Sequence, residues 1–168
     1  MDNQVEIEFL NTSKKFYSTV DTVLLQVLEL LKALSILERE VYERNEILNQ
    51  KKFEAGIPYN QMAPGAKELW TEYFERYKRL VTPVCTERVL KRGFARSFGK
   101  PGKYDYLNTK CKIVCIMKST QKVTIETFFH NGVDMKQQFI LKNIDNEWKI
   151  DGIKYAFSNE AVWHVDGI

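Results

Sequence analysis

Apolar and polar residues alternate most regularly in the C-terminal third of the chain, between Lys110 and Phe157. Four segments rich in β-branched and aromatic residues follow one another there, separated by short polar turns. The second and third segments are joined by Asn131-Gly132, a dipeptide that is typical of a tight hairpin turn. The pattern therefore predicts an antiparallel meander of four β-strands over about residues 110–158.

Because successive side chains of a strand point to opposite faces, the alternation divides this predicted sheet into an apolar face and a mixed face. The apolar face, which needs a cover, comprises Ile113, Cys115, Met117, Val123, Ile125, Thr127, Phe129, Phe139, Leu141, Trp148 and Ile150. The mixed face carries Val114, Ile116, Phe128, Ile140 and Ile153 among polar residues that include Glu126, His130 and Asp151. This face could be covered in two ways: by a second copy of the chain, or by the chain's own C-terminal tail with Trp163. A β-bulge near Gly152 would reverse the assignment locally.

Upstream of the sheet, apolar residues recur at three- and four-residue steps and predict helices that cover the apolar face. The first helix is predicted from about Lys14 to Phe53, with Thr12 and Ser13 as candidate N-caps. Its apolar arc is too broad for a coiled-coil seam and indicates burial on two sides. A second helix follows a loop at 55–65, and a short third helix is predicted from Pro83 to about residue 92, capped by Thr82.

These elements predict an α+β fold in a single domain, 1–168, with helices at about 13–92 and a sheet at about 110–158. Between the two parts lies a basic and aromatic segment at about 92–108, "RGFARSFGKPGKYDYLN". This composition suits single-stranded nucleic acid, through phosphate contacts and base stacking, and it also suits a protein interface. It equally describes a loop whose aromatic rings anchor it to the body while its charges stay in water.

We favour the anchored loop over nucleic-acid binding, because the rest of the chain offers no matching basic surface. A protein-binding role stays open for the same loop. Its candidate partner-binding residues are Arg92, Arg96, Phe98, Lys100, Lys103 and Tyr104.

Composition narrows the class of protein further. A net charge of +3 on 168 residues does not by itself indicate an anionic partner. Three cysteines without disulfide-like spacing suit a reducing compartment, and two histidines are too few for a typical zinc site, so we expect no metal and no cofactor. The N-terminus carries Asp2, Glu6 and Glu8 and lacks the basic region of a secretory signal. Charged residues interrupt the apolar run at 20–37, so we expect no membrane span and a cytoplasmic location.

Several strings of this sequence resemble a known family. The order of the elements and the ending "NEWKIDGIKY" resemble the nuclear transport factor 2-like fold. More specifically, "LWTEYFERYKRLVTPVC", "RGFARSFGKPGKYDYLN", "VTIETFF" and "WKIDGIKYAF…VWH" resemble the bacterial immunity proteins of that fold, which are found in polymorphic toxin systems. The resemblance covers roughly residues 69–164, and "SFGKPGKYDYLN" is its most specific string. It implies a nuclear transport factor 2-like cone, and a small cytoplasmic antidote that binds and sterically neutralises a cognate secreted toxin.

The same fold class hosts isomerases and dehydratases, so the fold alone does not separate a binding protein from an enzyme. Such an enzyme needs an acid or base inside the apolar cone, where strand parity places Thr127, Met117 and Cys115. We therefore expect no catalytic residues. A small-molecule-binding or isomerase-like enzyme is the alternative, and a homodimeric scaffold or interaction module is the second. The expected partner is a toxin domain, with a homodimer also open, and neither nucleic acid nor membrane is expected.

Overall fold

A curved sheet of six strands lies at the centre of the structure, a computed structural model that describes residues 5–168. Its first strand is β1 (Val5–Phe9), and the predicted meander is confirmed as β2 (Cys111–Ser119), β3 (Lys122–Asn131), β4 (Val133–Ile144) and β5 (Glu147–Phe157). A short β6 (His164–Val165) pairs with β5. The meander is antiparallel, whereas β1 pairs parallel to β2. The pattern of the sequence does not predict β1 or β6. Asp2, part of the N-terminus predicted to lack a secretory signal, lies outside the described residues.

Three helices precede the meander, and the predicted α+β architecture is confirmed. They are α1 (Tyr17–Glu54), preceded by a 3₁₀ turn at Lys14–Phe16, then α2 (Ala66–Val81) and α3 (Glu87–Leu90). Of the two predicted N-caps, Ser13 takes the N-cap position of the helical segment that begins at Lys14, without a side-chain hydrogen bond. Thr12 is not a cap, because its hydroxyl accepts a hydrogen bond from the Met117 backbone N–H of β2 at 2.9 Å.

The predicted start of the third helix is also wrong. After a turn at residues 82–84 the chain pairs with β5, where Thr86 N donates to Ile150 O at 2.9 Å and Ile150 N donates to Val84 O at 2.8 Å. A helix cannot begin at Pro83 while residues 84–86 make these strand-like bonds. Thr86 is therefore the N-cap residue of α3, and the Thr82 hydroxyl instead donates to the Lys78 carbonyl at 2.7 Å within α2.

The predicted apolar face packs against α1 and α2 and forms the core. Phe139, Leu141 and Ile150 are 0% exposed, and from α1 so are Val23 and Leu31. Burying a side chain of this size contributes about 1.5–3 kcal/mol relative to leaving it in water. Phe129 and Trp148 lie at the ends of the face and are only partly buried against the core. The assignment of this face from strand alternation therefore agrees with the observed burial.

A β-bulge in β5 reverses the faces of the residues that follow it. Ile140 pairs with Gly152, but the next residue of β4, Leu141, pairs with Ile150, so Asp151 is the extra residue on β5. Ile153 then opposes Phe139 on the apolar face and is only 1% exposed. The prediction that Ile153 belongs to the mixed face is therefore wrong, because one inserted residue changes the parity of a strand.

The mixed face is covered partly by polar side chains of the sheet itself and partly by the C-terminal tail. The Lys112 ammonium pairs with the Glu8 carboxylate of β1 at 2.7 Å. Further along, Lys136 Nζ lies 4.6 Å from the ring centre of Trp163 in the tail. The four remaining apolar residues of this face are buried or half-buried: Val114, Ile116, Phe128 and Ile140. The tail thus accounts for part of the cover, and self-association through this face stays a prediction.

The bulge gives a direct test by mutation. Ile153→Ala should lower the free energy of unfolding by about 2–4 kcal/mol, because it removes a fully buried side chain from the core. The matched control is Ile144→Ala, at a residue 42% exposed on β4, which should change it by less than about 1 kcal/mol. Urea unfolding followed by circular dichroism measures both. Equal, small effects of the two substitutions would place Ile153 on the mixed face after all.

Candidate partner-binding site

The segment at 92–108 is a loop that aromatic rings anchor to the helices. Phe94 stacks on Phe74 with ring centres 5.0 Å apart. Phe98 lies 4.4 Å from Trp70 and 5.6 Å from Tyr73, measured between ring centres. These contacts agree with the interpretation of an anchored loop. They also occupy the rings that base stacking would require.

Tyr104 and Tyr106 are buried between the helices and the sheet. Tyr104 is 0% exposed, so its assignment as a partner-binding residue is wrong. The 3₁₀ turn at Asp105–Asn108 carries the loop into the core at this point. The Tyr106 ring stacks on Phe129 with centres 3.8 Å apart, and its hydroxyl donates to Gln137 Oε1 at 2.9 Å. These two tyrosines therefore hold the end of the loop in place.

Two carboxylates fasten the middle of the loop to α1. Glu38 of α1 accepts hydrogen bonds from the backbone N–H of Gly99 at 3.0 Å and of Lys103 at 2.9 Å. Asp105, in the loop itself, accepts from the Gly102 N–H at 2.7 Å and from the Ser35 hydroxyl of α1. The backbone N–H groups of a buried loop need such acceptors, because strand and helix partners are absent there. We call this arrangement the carboxylate clamp.

The two carboxylates of the clamp titrate differently. Burial raises the pKa of Glu38 above its ordinary value, although the N–H bonds from Lys103 and Gly99 act in the opposite direction. Burial acts on Asp105 in the same sense, but the bonds from Ser35 and Gly102, with Arg39 nearby, hold the pKa of Asp105 below its ordinary value. The lowered pKa keeps Asp105 charged at neutral pH, where it balances Arg39 at 3.6 Å.

The clamp leaves three of the predicted cations at the surface. Arg92, Arg96 and Lys100 are exposed, and the Arg96 guanidinium donates to the Arg92 carbonyl. Lys103 has a different role, since its ammonium donates to the Gly167 carbonyl at 2.7 Å and pairs with Asp166 at 3.1 Å. The predicted set therefore separates into exposed cations and residues that hold the loop and the tail, the latter being Phe98, Lys103 and Tyr104.

Arg92 also lines a cleft of about 230 Å³ between α3 and strands β4 and β5. Five cations surround this basic cleft, together with the carboxylates of Asp151 and Asp166: Arg88, Arg92, Lys122, Lys142 and Lys154. The sequence analysis missed it because the cations come from α3, the loop and three different strands. One signal was available, since the hairpin register sets Lys122 directly opposite Lys142.

Asp151 organises one wall of the basic cleft. Its carboxylate lies 2.8 Å from Lys142 Nζ and 3.7 Å from the Arg88 guanidinium, and it accepts a hydrogen bond from the Thr86 hydroxyl at 3.0 Å. Burial acts to raise the pKa of Asp151, but the Lys142 and Thr86 hydrogen bonds hold it below its ordinary value. The carboxylate is therefore ionised at neutral pH, where it lies within ion-pair distance of two of the five cations.

The interior of the cone is a packed core. Tyr104, Phe139 and Met117 fill it, each at most 2% exposed. Burial raises the pKa of Cys115 to about 12, so this thiol is protonated at neutral pH. The Thr127 hydroxyl lies 3.1 Å from the Tyr106 hydroxyl inside the same core. The Thr127 and Tyr106 hydroxyls are thus paired, whereas the buried Tyr104 hydroxyl has no hydrogen-bond partner among residues 5–168.

Two further features concern metals and membranes. Within residues 5–168, His, Cys, Asp and Glu side chains form no group of three or more arranged to hold a metal ion. In the same part of the chain, none of the helices combines the length and the apolarity needed to cross a membrane.

A known protein family matches most of the chain. The sequence model of the family described as "Imm-NTF2: NTF2 fold immunity protein" matches residues 40–167, which is more than half of the sequence. The matched range contains the whole loop at 92–108 and every residue of the basic cleft. Neither the comparison with curated proteins nor the comparison with solved structures returned a match.

The carboxylate clamp can be tested by removing its α1 member. Glu38→Ala should lower the free energy of unfolding by about 2–4 kcal/mol, because it leaves two backbone N–H groups without an acceptor. Glu29→Ala, at an exposed position of the same helix, is the control and should have little effect. Urea unfolding at neutral pH measures the difference. Wild-type stability of the Glu38→Ala protein would show that the loop is held in another way.

The charge of Asp151 gives a prediction for the pH dependence of stability. Because the pKa of Asp151 is lowered in the folded state, its stabilisation is present at neutral pH and is lost as the pH falls through that pKa. Asp151→Asn should therefore cost about 1–3 kcal/mol at pH 7 and clearly less near pH 3. Asp145→Asn, in the exposed turn before β5, serves as the control. A cost that stays the same at both pH values would contradict an ionised, paired Asp151.

Proposed function

Because the chain belongs to the family of NTF2 fold immunity proteins, we propose that it is a bacterial immunity protein that binds a cognate secreted toxin and neutralises it sterically. The family match is the observation that carries this proposal. The antidote acts in the cytoplasm, where it covers the active site of the toxin or a surface that the toxin needs. It carries out no chemistry on the toxin.

The packing of the cone supports a steric mechanism. A catalyst of the isomerase or dehydratase type places an acid or base beside its substrate in the interior. Here the neutral side chains of Tyr106, Thr127 and Gln137 are bonded to one another in that space. Residues that can meet a partner lie outside the cone, which favours binding at the surface.

The loop cations provide the first contacts in this proposal. Arg96 and Lys100 are exposed on a segment that the carboxylate clamp holds in one conformation. Holding the backbone before binding reduces the entropy lost when a complex forms. Arginine is also enriched at the energetic centres of protein interfaces. The loop therefore combines charge, exposure and preorganisation.

The proposed function predicts rescue in living cells. The C-terminal domain of the protein encoded immediately upstream is expressed alone and together with this chain, and surviving cells are counted. Co-expression should restore growth, and the two proteins should purify as a stable complex. A harmless neighbour would contradict the immunity role with that partner. Rescue without a complex would contradict steric neutralisation and favour the enzyme alternative.

The loop contacts predict a separable binding defect. Arg96→Glu combined with Lys100→Glu should weaken binding of the upstream toxin domain by about tenfold or more, since it reverses two interface charges. The thermal unfolding midpoint should stay close to that of the wild type. The control combines Lys32→Glu with Arg79→Glu, which makes the same change of charge at exposed helical positions. Unaltered affinity of the loop variant, measured by calorimetry, would rule the loop out of the interface.

A further inference from the structure

Positive charge is concentrated in the basic cleft, whereas the chain as a whole is close to neutral. Five cations line it against two carboxylates, an excess equal to the net charge of +3 of all 168 residues. The remainder of the sequence is therefore balanced in formal charge. Soluble proteins usually intersperse charges of both signs over their surface. An excess gathered in one concave site indicates a use for positive charge there.

Both carboxylates of the cleft are already engaged by cations of the chain. Asp151 holds Lys142 and Arg88, and Asp166 pairs with Lys103 of the loop at 3.1 Å. Within residues 5–168, three of the five cations then have no acidic partner within ion-pair distance: Arg92, Lys122 and Lys154.

The fold itself gains nothing from this gathering of charge. Lys122 and Lys142 lie directly opposite each other in the β3–β4 register, where like charges destabilise a sheet. Of these two lysines, the bulged Asp151 pairs with Lys142. A purely structural site would pair or disperse the remaining cations, so the arrangement is better explained by a ligand that supplies negative charge.

The form of the cleft indicates what kind of anion it takes. Its lining includes the half-buried apolar residue Ile140, and its cations stand on long stems around it. The Arg88 side chain is 74% exposed, so it can follow a partner that arrives from solvent. A volume of about 230 Å³ admits a few side chains rather than a folded element. These features fit carboxylate side chains carried on a protein surface, with an apolar neighbour against Ile140.

We propose that the basic cleft receives an acidic segment of the toxin domain and forms one continuous interface with the loop cations. Continuity follows from Arg92, which lines the cleft and whose carbonyl accepts the hydrogen bond from Arg96. The inference rests on the proposed function, since it takes the toxin as the partner. It names the chemistry of that partner: at least two Asp or Glu side chains near an apolar residue. The cations also steer this segment toward the cleft during encounter.

The test combines Lys122→Glu with Lys154→Glu in the full chain and measures binding of the upstream toxin domain at low and high salt. The affinity should fall by about tenfold or more, chiefly through a slower association rate, and the association should depend less on salt. The Lys32→Glu, Arg79→Glu protein, which has the same formal charge, should bind like the wild type. The milder Lys122→Gln, Lys154→Gln protein, which removes both charges without reversing them, should lose less affinity in the same direction.

The outcomes separate this inference from the function on which it rests. If both cleft variants bind the toxin domain as tightly as the wild type does, the proposal for the basic cleft is overturned. The immunity role then stays intact. If the wild type neither binds nor neutralises the toxin domain, the proposed function fails and the cleft proposal fails with it. Binding of inorganic phosphate to the wild type but not to the cleft variants, with unchanged toxin affinity, would assign the cleft to a small phosphate anion and overturn an acidic protein segment.

Discussion

The orientation of the exposed loop cations depends on the hydrogen bonds that the Glu38 carboxylate accepts from the backbone of the loop. A connection from the helices to the sheet must cross α1, and its buried N–H groups need acceptors. Glu38 accepts from Gly99 and Lys103, and the backbone comes so close that a β-carbon on Gly102 would lie 2.9 Å from Glu38 Oε2. A side chain at that position would therefore displace the Glu38 carboxylate from its bonds to the loop. The clamp fixes the backbone from which Arg96 and Lys100 project.

The tail and the bulge connect the loop to the basic cleft. Gly167 packs directly against the Gly93 carbonyl, where a β-carbon would approach within 2.2 Å. The neighbouring Asp166 N–H donates to the Ile153 carbonyl at 2.9 Å, just beyond the bulge in β5. The start of the loop, the tail and β5 thus form one packed unit. This packing explains how cations from α3, the loop and three strands can act as a single surface.

The sequence predicts elements whose side chains repeat over a few residues. It does not predict contacts between residues that are far apart along the chain. Alternation identifies β2 to β5 and their apolar face, because a strand repeats every two residues. It misses β1, whose partner β2 lies about a hundred residues away along the chain. It misplaces Ile153, because Gly152 raises the possibility of a bulge in β5 but alternation does not show whether the bulge forms. Tyr104 and Arg96 belong to the same loop by composition, and only packing separates a buried ring from an exposed cation. The basic cleft was likewise hidden by the distance between its residues along the chain.

The central claim is that a preorganised basic surface outside the cone binds the toxin without chemistry. Hydrogen–deuterium exchange of the protein with and without the upstream toxin domain tests it most directly, since it reports which backbone amides a partner covers. The account predicts slower exchange in residues 88–100 and in the strand segments that line the basic cleft, which are the start of β3, the region near the end of β4 and the middle of β5. Protection confined to β1 and the middle of the mixed face, with the loop and the cleft exchanging as in the isolated protein, would contradict it.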